Sequence, residues 1–241
     1  RDVAVPVSCQ VVQIESLSKN IQRVVLAPDQ TVPFAAGQYL ELLLPPLTEC
    51  YFTIASAPQA KHLELHVQKT ENTQPILDRL AQALEKQEVV AFEAPMGDCH
   101  LDKLPKEEGP LLLIAAGTGF SQAKAIAEDL LNQGTSRPVH VYWGARTVTG
   151  LYMADLPEQW SEDHENVHFS AVISEQNDWE GKQGLLYQAI VADIDDLSIC
   201  QAVCCGSPNM VYATLDAMVD HGFRQDHMIS DVFTIAPRDA S

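Results

Sequence analysis

The stretch Pro110-Leu111-Leu112-Leu113-Ile114-Ala115-Ala116-Gly117-Thr118-Gly119-Phe120-Ser121-Gln122-Ala123-Lys124-Ala125-Ile126 decides how this chain is read. Its apolar run, Leu111–Ala116, is too short for a typical globular helix and is bounded by Pro110 and Gly117. Such a run predicts a strand buried on both faces, as in a parallel sheet. Gly117, Thr118 and Gly119 predict a tight turn, and Ser121 precedes a helical pattern. Glycines let the backbone approach a ligand closely, and the free N–H groups at a helix N-terminus favour anions. The turn falls short of a full G-x-G-x-x-G fingerprint, and no acidic residue ends the next strand. Taken alone it is equally an anion site or an ordinary strand-to-helix turn, so the surrounding chain has to choose.

Toward the C-terminus, strands and helices alternate. Strand patterns fall at Leu111–Ala116, Val139–Trp143, Val167–Ile173, Ile199–Cys205 and Met228–Phe233. Helical patterns fall at Phe120–Asn132, Leu185–Ala192 and Pro208–His221, with a weaker one at Leu151–Trp160. This β-α-β series predicts an α/β domain with a doubly wound, five-stranded parallel sheet. Ligands of such sheets bind beyond the carboxyl ends of the strands. Three strand ends there carry Gly117-Thr118-Gly119, Gly144-Ala145-Arg146 and Cys205-Gly206-Ser207-Pro208-Asn209-Met210. If they converge, one crevice holds two glycine turns, a guanidinium and a thiol, which suits a dinucleotide. Arg146 by itself reads as a solvated surface charge.

Toward the N-terminus the pattern changes to strand after strand: Val5–Glu15, Ile21–Ala27, Gln38–Leu44, Tyr51–Ser56, His62–Lys69 and Glu88–Glu93. Leu63, Leu65 and Val67 alternate onto one face. One helix fits Thr73–Lys86, with Ile76, Leu77, Leu80, Ala83 and Leu84 at helical spacing and Thr73 as N-cap. Six short strands separated by turn residues predict a six-stranded antiparallel β-barrel with one helix as plug or lid. The polar stretch Leu101–Gly109 carries Pro105 and lies where the periodicity changes, so two domains are expected, 1–105 and 106–241.

The chain has 241 residues and a formal charge of −18. That sign argues against nucleic acid or an anionic membrane surface as partner. A phosphate site in so acidic a chain has to be built locally. None of the six cysteines falls in a C-x-x-C, zinc-finger or plant-ferredoxin spacing, so no metal site is expected. They read as reduced thiols of a cytoplasmic protein. No signal-peptide pattern and no membrane-spanning apolar run is present.

A barrel followed by such a β-α-β domain resembles the ferredoxin–NADP reductase superfamily, most closely its small NAD(P)H–flavin reductases. Four segments in order carry the resemblance, which covers nearly the whole chain. Tyr51-Phe52-Thr53-Ile54-Ala55-Ser56-Ala57-Pro58 is similar to the family's Arg-x-Tyr/Phe-Ser-x-x-Ser flavin motif. Leu113–Ser121 looks like its nicotinamide-site turn, and Val141–Arg146 followed by Leu151-Tyr152 looks like its second strand end. Cys205–Met210 is similar to its Cys-Gly-x-Pro-x-Met turn.

The resemblance implies two catalytic positions, Thr53 near flavin N5 and Cys205 near the nicotinamide C4. It implies flavin contacts from Phe52, Thr53, Ile54, Ala55 and Ser56, with Phe52 against the isoalloxazine and Phe233 covering the flavin. Phe52, Phe233 and Cys205 are also ordinary core residues on their own reading. It implies nucleotide contacts from Gly117, Thr118, Gly119 and Gly206, with Arg146 at the adenosine end, where a 2′-phosphate benefits from it. Cys50, next to Glu49, stands where the family usually has an arginine for flavin phosphate or the ring's polar edge. No Gly-x-x-Ser/Thr turn follows His66–Thr70 to hold an FAD pyrophosphate.

Together these features imply an NAD(P)H-dependent flavin reductase. It would pass hydride from NADPH or NADH to riboflavin, FMN or FAD held loosely as a substrate. The reduced flavin would serve a monooxygenase, a luciferase or ferric iron. The alternatives are a flavin-bound reductase component passing electrons to a protein partner, and a subunit that keeps the fold without turnover.

Overall fold

Strand after strand, the N-terminal residues obey the period-two rule that lets one face of a sheet enter a core. The computed structural model describes residues 5–107, 109–176 and 178–239; Glu108 of the expected linker lies outside them. Two compact units form. One runs to Asp98 and takes in Lys124–Gln133, and the other comprises Cys99–Ala123 and the chain from Gly134 onward.

The first unit holds β1 (Pro6–Ser16), β2 (Ile21–Pro28), β3 (Tyr39–Leu43), β4 (Cys50–Thr53) and β5 (Leu63–Gln68), then α1 (Gln74–Lys86) and β6 (Val89–Met96). The strands form one six-stranded sheet in the order β4-β3-β6-β1-β2-β5, with every pairing antiparallel. β4 and β5 are its two edges. Just past β4, Ala55 N donates to Glu64 O of β5 at 2.7 Å, which ties those edges together into the expected barrel-like curl. Leu26, Leu40, Leu65 and Phe92 lie fully buried in its core, and Ile76, Leu77 and Leu80 of α1 pack there too. Thr73 precedes α1, but its hydroxyl does not cap the helix. It donates to Gln68 O at 2.5 Å and accepts from Thr70 N at 2.8 Å, stitching the turn before the helix instead.

The second unit alternates β7 (Leu111–Ala116), α2 (Phe120–Asn132, whose residues from Lys124 belong with the first unit), β8 (Val139–Ala145), α3 (Asp155–Asp163), β9 (Val167–Ile173), β10 (Lys182–Gln183), α4 (Leu186–Asp193), β11 (Gln201–Cys205), α5 (Pro208–Asp220), β12 (Met228–Ile229) and α6 (Val232–Ile235). The strands pair in parallel in the order β10-β9-β8-β7-β11-β12. Six strands are present rather than the five expected. The sixth, β10, is two exposed polar residues with no apolar signature in the sequence. The strand expected over Met228–Phe233 stops at Ile229, and Val232–Ile235 turns into α6, because a four-residue apolar run fits a helical turn as well as a strand. The weak helical pattern at Leu151–Trp160 becomes α3 from Asp155 onward. Leu111–Ala115 and Gln201–Cys205 are buried along their whole length, as central parallel strands must be.

Candidate active site

The sheet order positions the first candidate site. The chain steps from β7 to β8 to β9 in one direction, and β11 lies on the other side of β7. The reversal falls between β7 and β11, and open α/β sheets bind ligands at such a switch point. Gly117-Thr118-Gly119 follows β7 and Cys205-Gly206 ends β11, with Cys205 in register with Ala115. The glycine stretch forms a 3-10 turn that runs straight into α2, and Ser121 Oγ donates to Thr118 O at 2.7 Å.

The two glycines have different jobs. Gly117 has φ +57° and no other atom within 4 Å of where a Cβ would stand, so it supplies a left-handed bend beside open space. At Gly119 a Cβ would stand 2.4 Å from Cys205 O and 2.8 Å from Cys205 C. That position is glycine because two backbones touch. Open space over one glycine and close backbone approach at the other suit a nucleotide lying along the turn.

The aromatic layer beneath this turn carries no motif. Trp143 Nε1 donates to Gly117 O at 3.0 Å, and its ring stacks on Phe120 at 3.8 Å between centroids. Tyr152 meets Trp143 edge-on at 5.0 Å. Sequence reasoning quoted Trp143 within a strand end and gave it no role. An indole hydrogen bond to a glycine carbonyl two positions past the register partner, Ala115, on the neighbouring strand has no local signal.

Cys205 is buried, and burial pushes its thiol well up, with Cys99 and Cys204 adding to the shift. A raised thiol of this kind favours the protonated form. Gly206 closes on Met210 Sδ and on Ala116 Cβ, where a side chain would meet them at 2.8 and 3.3 Å. Gly117, Thr118, Gly119, Cys205 and Gly206 thus come together. Arg146 follows β8 with an exposed side chain, and its carbonyl accepts from Glu175 N at 2.8 Å. Phe233 lies half-buried on α6, with its ring 5.8 Å from that of Tyr212 of α5.

The second candidate site lies in the first unit, at the end of β4. Phe52 is half-buried and packs against the barrel core, and Thr53 is half-buried where the strand stops. Ile54, Ala55 and Ser56 are buried. Ile54 N donates to Gln38 O at 3.1 Å, Ala55 N to Glu64 O, and Ser56 Oγ to His62 O at 3.2 Å. Thr53 is the less buried of the two hydroxyl residues in this segment, Ser56 being buried and bonded to His62 O. Cys50 is buried in the barrel core, its Sγ 3.5 Å from Thr48 O. Burial and Glu41 raise its thiol above the ordinary range, and a cysteine side chain carries no positive charge in either protonation state.

Glu64, His66 and Lys124 are the polar residues that motif reading passed over. Glu64 Oε1 accepts from Arg23 Nε at 2.9 Å, and its Oε2 lies 2.6 Å from His66 Nε2 and 3.3 Å from Lys124 Nζ. Burial pushes the Glu64 carboxyl up, but the His66 hydrogen bond and the Lys124 and Arg23 charges outweigh it and hold it near 2. Burial lowers His66, which favours its neutral form. The alternation Leu-Glu-Leu-His-Val within β5 reads as a strand with one solvent face, so it gave no sign that Glu64 and His66 are buried.

Comparison with known proteins agrees with this geometry. A family model described as an oxidoreductase NAD-binding domain matches residues 113–216. The chain is 35% identical to the NAD(P)H-flavin reductase of Vibrio harveyi, over 79% of this chain and 82% of that one. It is 31% identical to the CDP-6-deoxy-L-threo-D-glycero-4-hexulose-3-dehydrase reductase of Yersinia pestis, over 93% of this chain and 68% of that one. Its fold is similar to the crystal structure of the Amycolatopsis cytochrome P450 reductase GcoB, with a TM-score of 0.80 and 26% identity, covering 96% of this chain and 71% of that one. No helix among the described residues is long and apolar enough to cross a membrane. The two-unit fold, the glycine turn at the switch point and these similarities lead to one conclusion: the chain belongs to the NAD(P)H–flavin reductases of the ferredoxin–NADP reductase superfamily.

Proposed function

We propose that this protein is an NAD(P)H:flavin oxidoreductase that takes riboflavin, FMN or FAD as a loosely held substrate. The observation that carries the reading is the switch-point cradle, in which Gly119 touches the backbone of Cys205 while the space over Gly117 stays open. A reduced nicotinamide supplies a hydride and a flavin accepts it. The protein contributes position, orientation and exclusion of water.

Gly117, Thr118, Gly119 and Gly206 hold the nicotinamide nucleotide, and Thr118 orients its ring. Cys205 presents a neutral thiol at the C4 side, where it shapes the pocket without competing for the hydride. Arg146, exposed past β8, faces the adenosine end and favours a 2′-phosphate, which leans the preference to NADPH or to both nucleotides. Thr53 places its hydroxyl at the flavin edge that gains a proton. Phe52 to Ser56 form the wall beside it, and Phe233 covers the flavin. The buried Cys50 thiol supports weak retention of phosphorylated flavins. Six free, buried thiols support residence in a reducing compartment such as the cytoplasm. The physiological acceptor is a flavin-dependent monooxygenase or another electron-accepting partner.

The fold similarity to a cytochrome P450 reductase favours a second reading, in which flavin stays bound and electrons pass to a protein partner. NADH and NADPH oxidation against added riboflavin, FMN and FAD separates the two. Saturable turnover dependent on added flavin, with riboflavin performing well, supports the first. A yellow protein as purified, with no gain from added flavin, supports the second. A colourless protein without turnover overturns both.

A further inference from the structure

β5 has two buried faces, and only one of them belongs to the apolar core. Leu63, Leu65 and Val67 enter the barrel, while Glu64 and His66 point the other way into a closed polar pocket with Lys124 of α2. All three are less than a tenth exposed. Lys124 Nζ also meets Glu128 Oε1 at 2.6 Å, one helical turn along. A buried ionic set of this kind contributes little net stability compared with an apolar replacement. One further contact ties this ionic set to the segment that follows β4.

Lys124 Nζ donates to the carbonyl of Ala55 at 3.1 Å. Ala55 belongs to the flavin segment. Its own N–H is held by Glu64 O at 2.7 Å, and the neighbouring Ser56 Oγ accepts from Glu64 N at 3.1 Å. Both backbone polar groups of Ala55 are therefore fixed, one by β5 and one by an ammonium that Glu64 and Glu128 hold in place. Ile54 N is fixed as well, on Gln38 O. The backbone that leads back to Thr53 is thus hydrogen-bonded at Ile54 N, Ala55 N and Ala55 O.

We propose that Lys124 is a positioning residue for the flavin segment: oriented by Glu64 and Glu128, its ammonium locks the Ala55 carbonyl and so sets where Thr53 stands. The proposal rests on the flavin-reductase reading. It assigns Lys124 no contact with flavin or nucleotide.

Steady-state kinetics of the full chain test it, with NADPH or NADH and riboflavin as the added flavin. Lys124→Met removes the donor and leaves Glu64 on Arg23 and His66, while Glu128 loses its ammonium. The double variant Glu64→Gln with Lys124→Met removes donor and charge together, and Lys124→Arg keeps both. The expected result is a rise of about tenfold in the riboflavin KM of the double variant, from loss of one charge-assisted hydrogen bond. Its nucleotide KM should stay within twofold, and Lys124→Arg should recover most of the flavin KM. A purely structural role would lower the amount of active enzyme in the double variant without this split. Turnover in the wild type, with an unchanged flavin KM in a folded double variant, overturns the positioning role alone. Absence of wild-type turnover overturns the flavin-reductase reading and this proposal with it.

Discussion

Replacing Gly119 by alanine puts one methyl group against a main chain that cannot move aside. The added Cβ would stand 2.4 Å from Cys205 O, 2.8 Å from Cys205 C and 3.1 Å from Cys205 Cβ. Ordinary contact begins about 1 Å further out, so the turn after β7 and the end of β11 must separate by roughly that much. Strand register opposes it, because Ile114 and Ala115 are paired with Cys204 and Cys205 just upstream. Overpacking of this kind destabilises by about 1–3 kcal/mol. The displacement also shifts the turn that holds the nucleotide, and a misplacement of about 1 Å can reduce turnover by up to about a hundredfold. Urea unfolding and kcat/KM for NADPH, NADH and riboflavin read the two effects separately. Gly119→Ala should lose stability and raise both nucleotide KM values by about tenfold or more, with a smaller effect on the flavin KM. Gly117→Ala is the control. Its φ of +57° strains an L-residue by about 1–2 kcal/mol, yet its Cβ meets nothing within 4 Å. Gly117→Asn should recover part of that loss, since asparagine tolerates the left-handed region. A Gly119→Ala protein with unchanged unfolding and nucleotide KM values within twofold of wild type would refute the cradle.

Three further outcomes follow from the same geometry. Glu64 is held near 2 against an ordinary 4.5, which corresponds to about 3 kcal/mol of stability that is fully present above pH 4.5 and lost as pH falls toward 2. The lowered His66 adds to the loss below its ordinary 6.5, and the raised Glu128 opposes it just above 4.5, so urea midpoints should drop on acidification and Glu64→Gln should flatten the drop below pH 4.5. The six buried thiols, all raised by burial first and Cys99 and Cys205 well above the ordinary range, should react with a disulfide reagent slowly at pH 8 in the native protein, and all six should react promptly once denatured. Trp143→Phe keeps the stack on Phe120 but loses the indole bond to Gly117 O; unfolding should show a loss of about 1 kcal/mol and kinetics a several-fold rise in nucleotide KM.

The strand-to-helix turn after β7 was readable because its signals are local. Gly117-Thr118-Gly119 announces a strand-to-helix turn from residue types alone, and α2 spans the expected Phe120–Asn132. Central strands such as β7 and β11 are apolar throughout because both faces are covered, so they stand out from the half-exposed strands of the barrel. The short edge strand β10 carries no such mark, since two polar residues pairing beside β9 look like any loop. Met228–Phe233 failed in the opposite way: its apolar pairs, Met228-Ile229 and Val232-Phe233, are split by Ser230-Asp231, and six residues do not distinguish a strand from a strand followed by a turn of helix.

The sequence by itself determined the order of elements, the change from antiparallel to alternating architecture and the identity of the turns, because periodicity and glycine placement act over a few neighbouring residues. It also determined that residue 50 is a cysteine, where the family resemblance implies an arginine. Only the tertiary structure decided that Gly119 is glycine for the sake of Cys205, that Trp143 holds the Gly117 carbonyl, and that Glu64, His66, Arg23 and Lys124 meet in one buried pocket behind Ala55. Each of these joins residues from separate elements through strand register and buried hydrogen bonds, and neither is written in the spacing of a single stretch of chain.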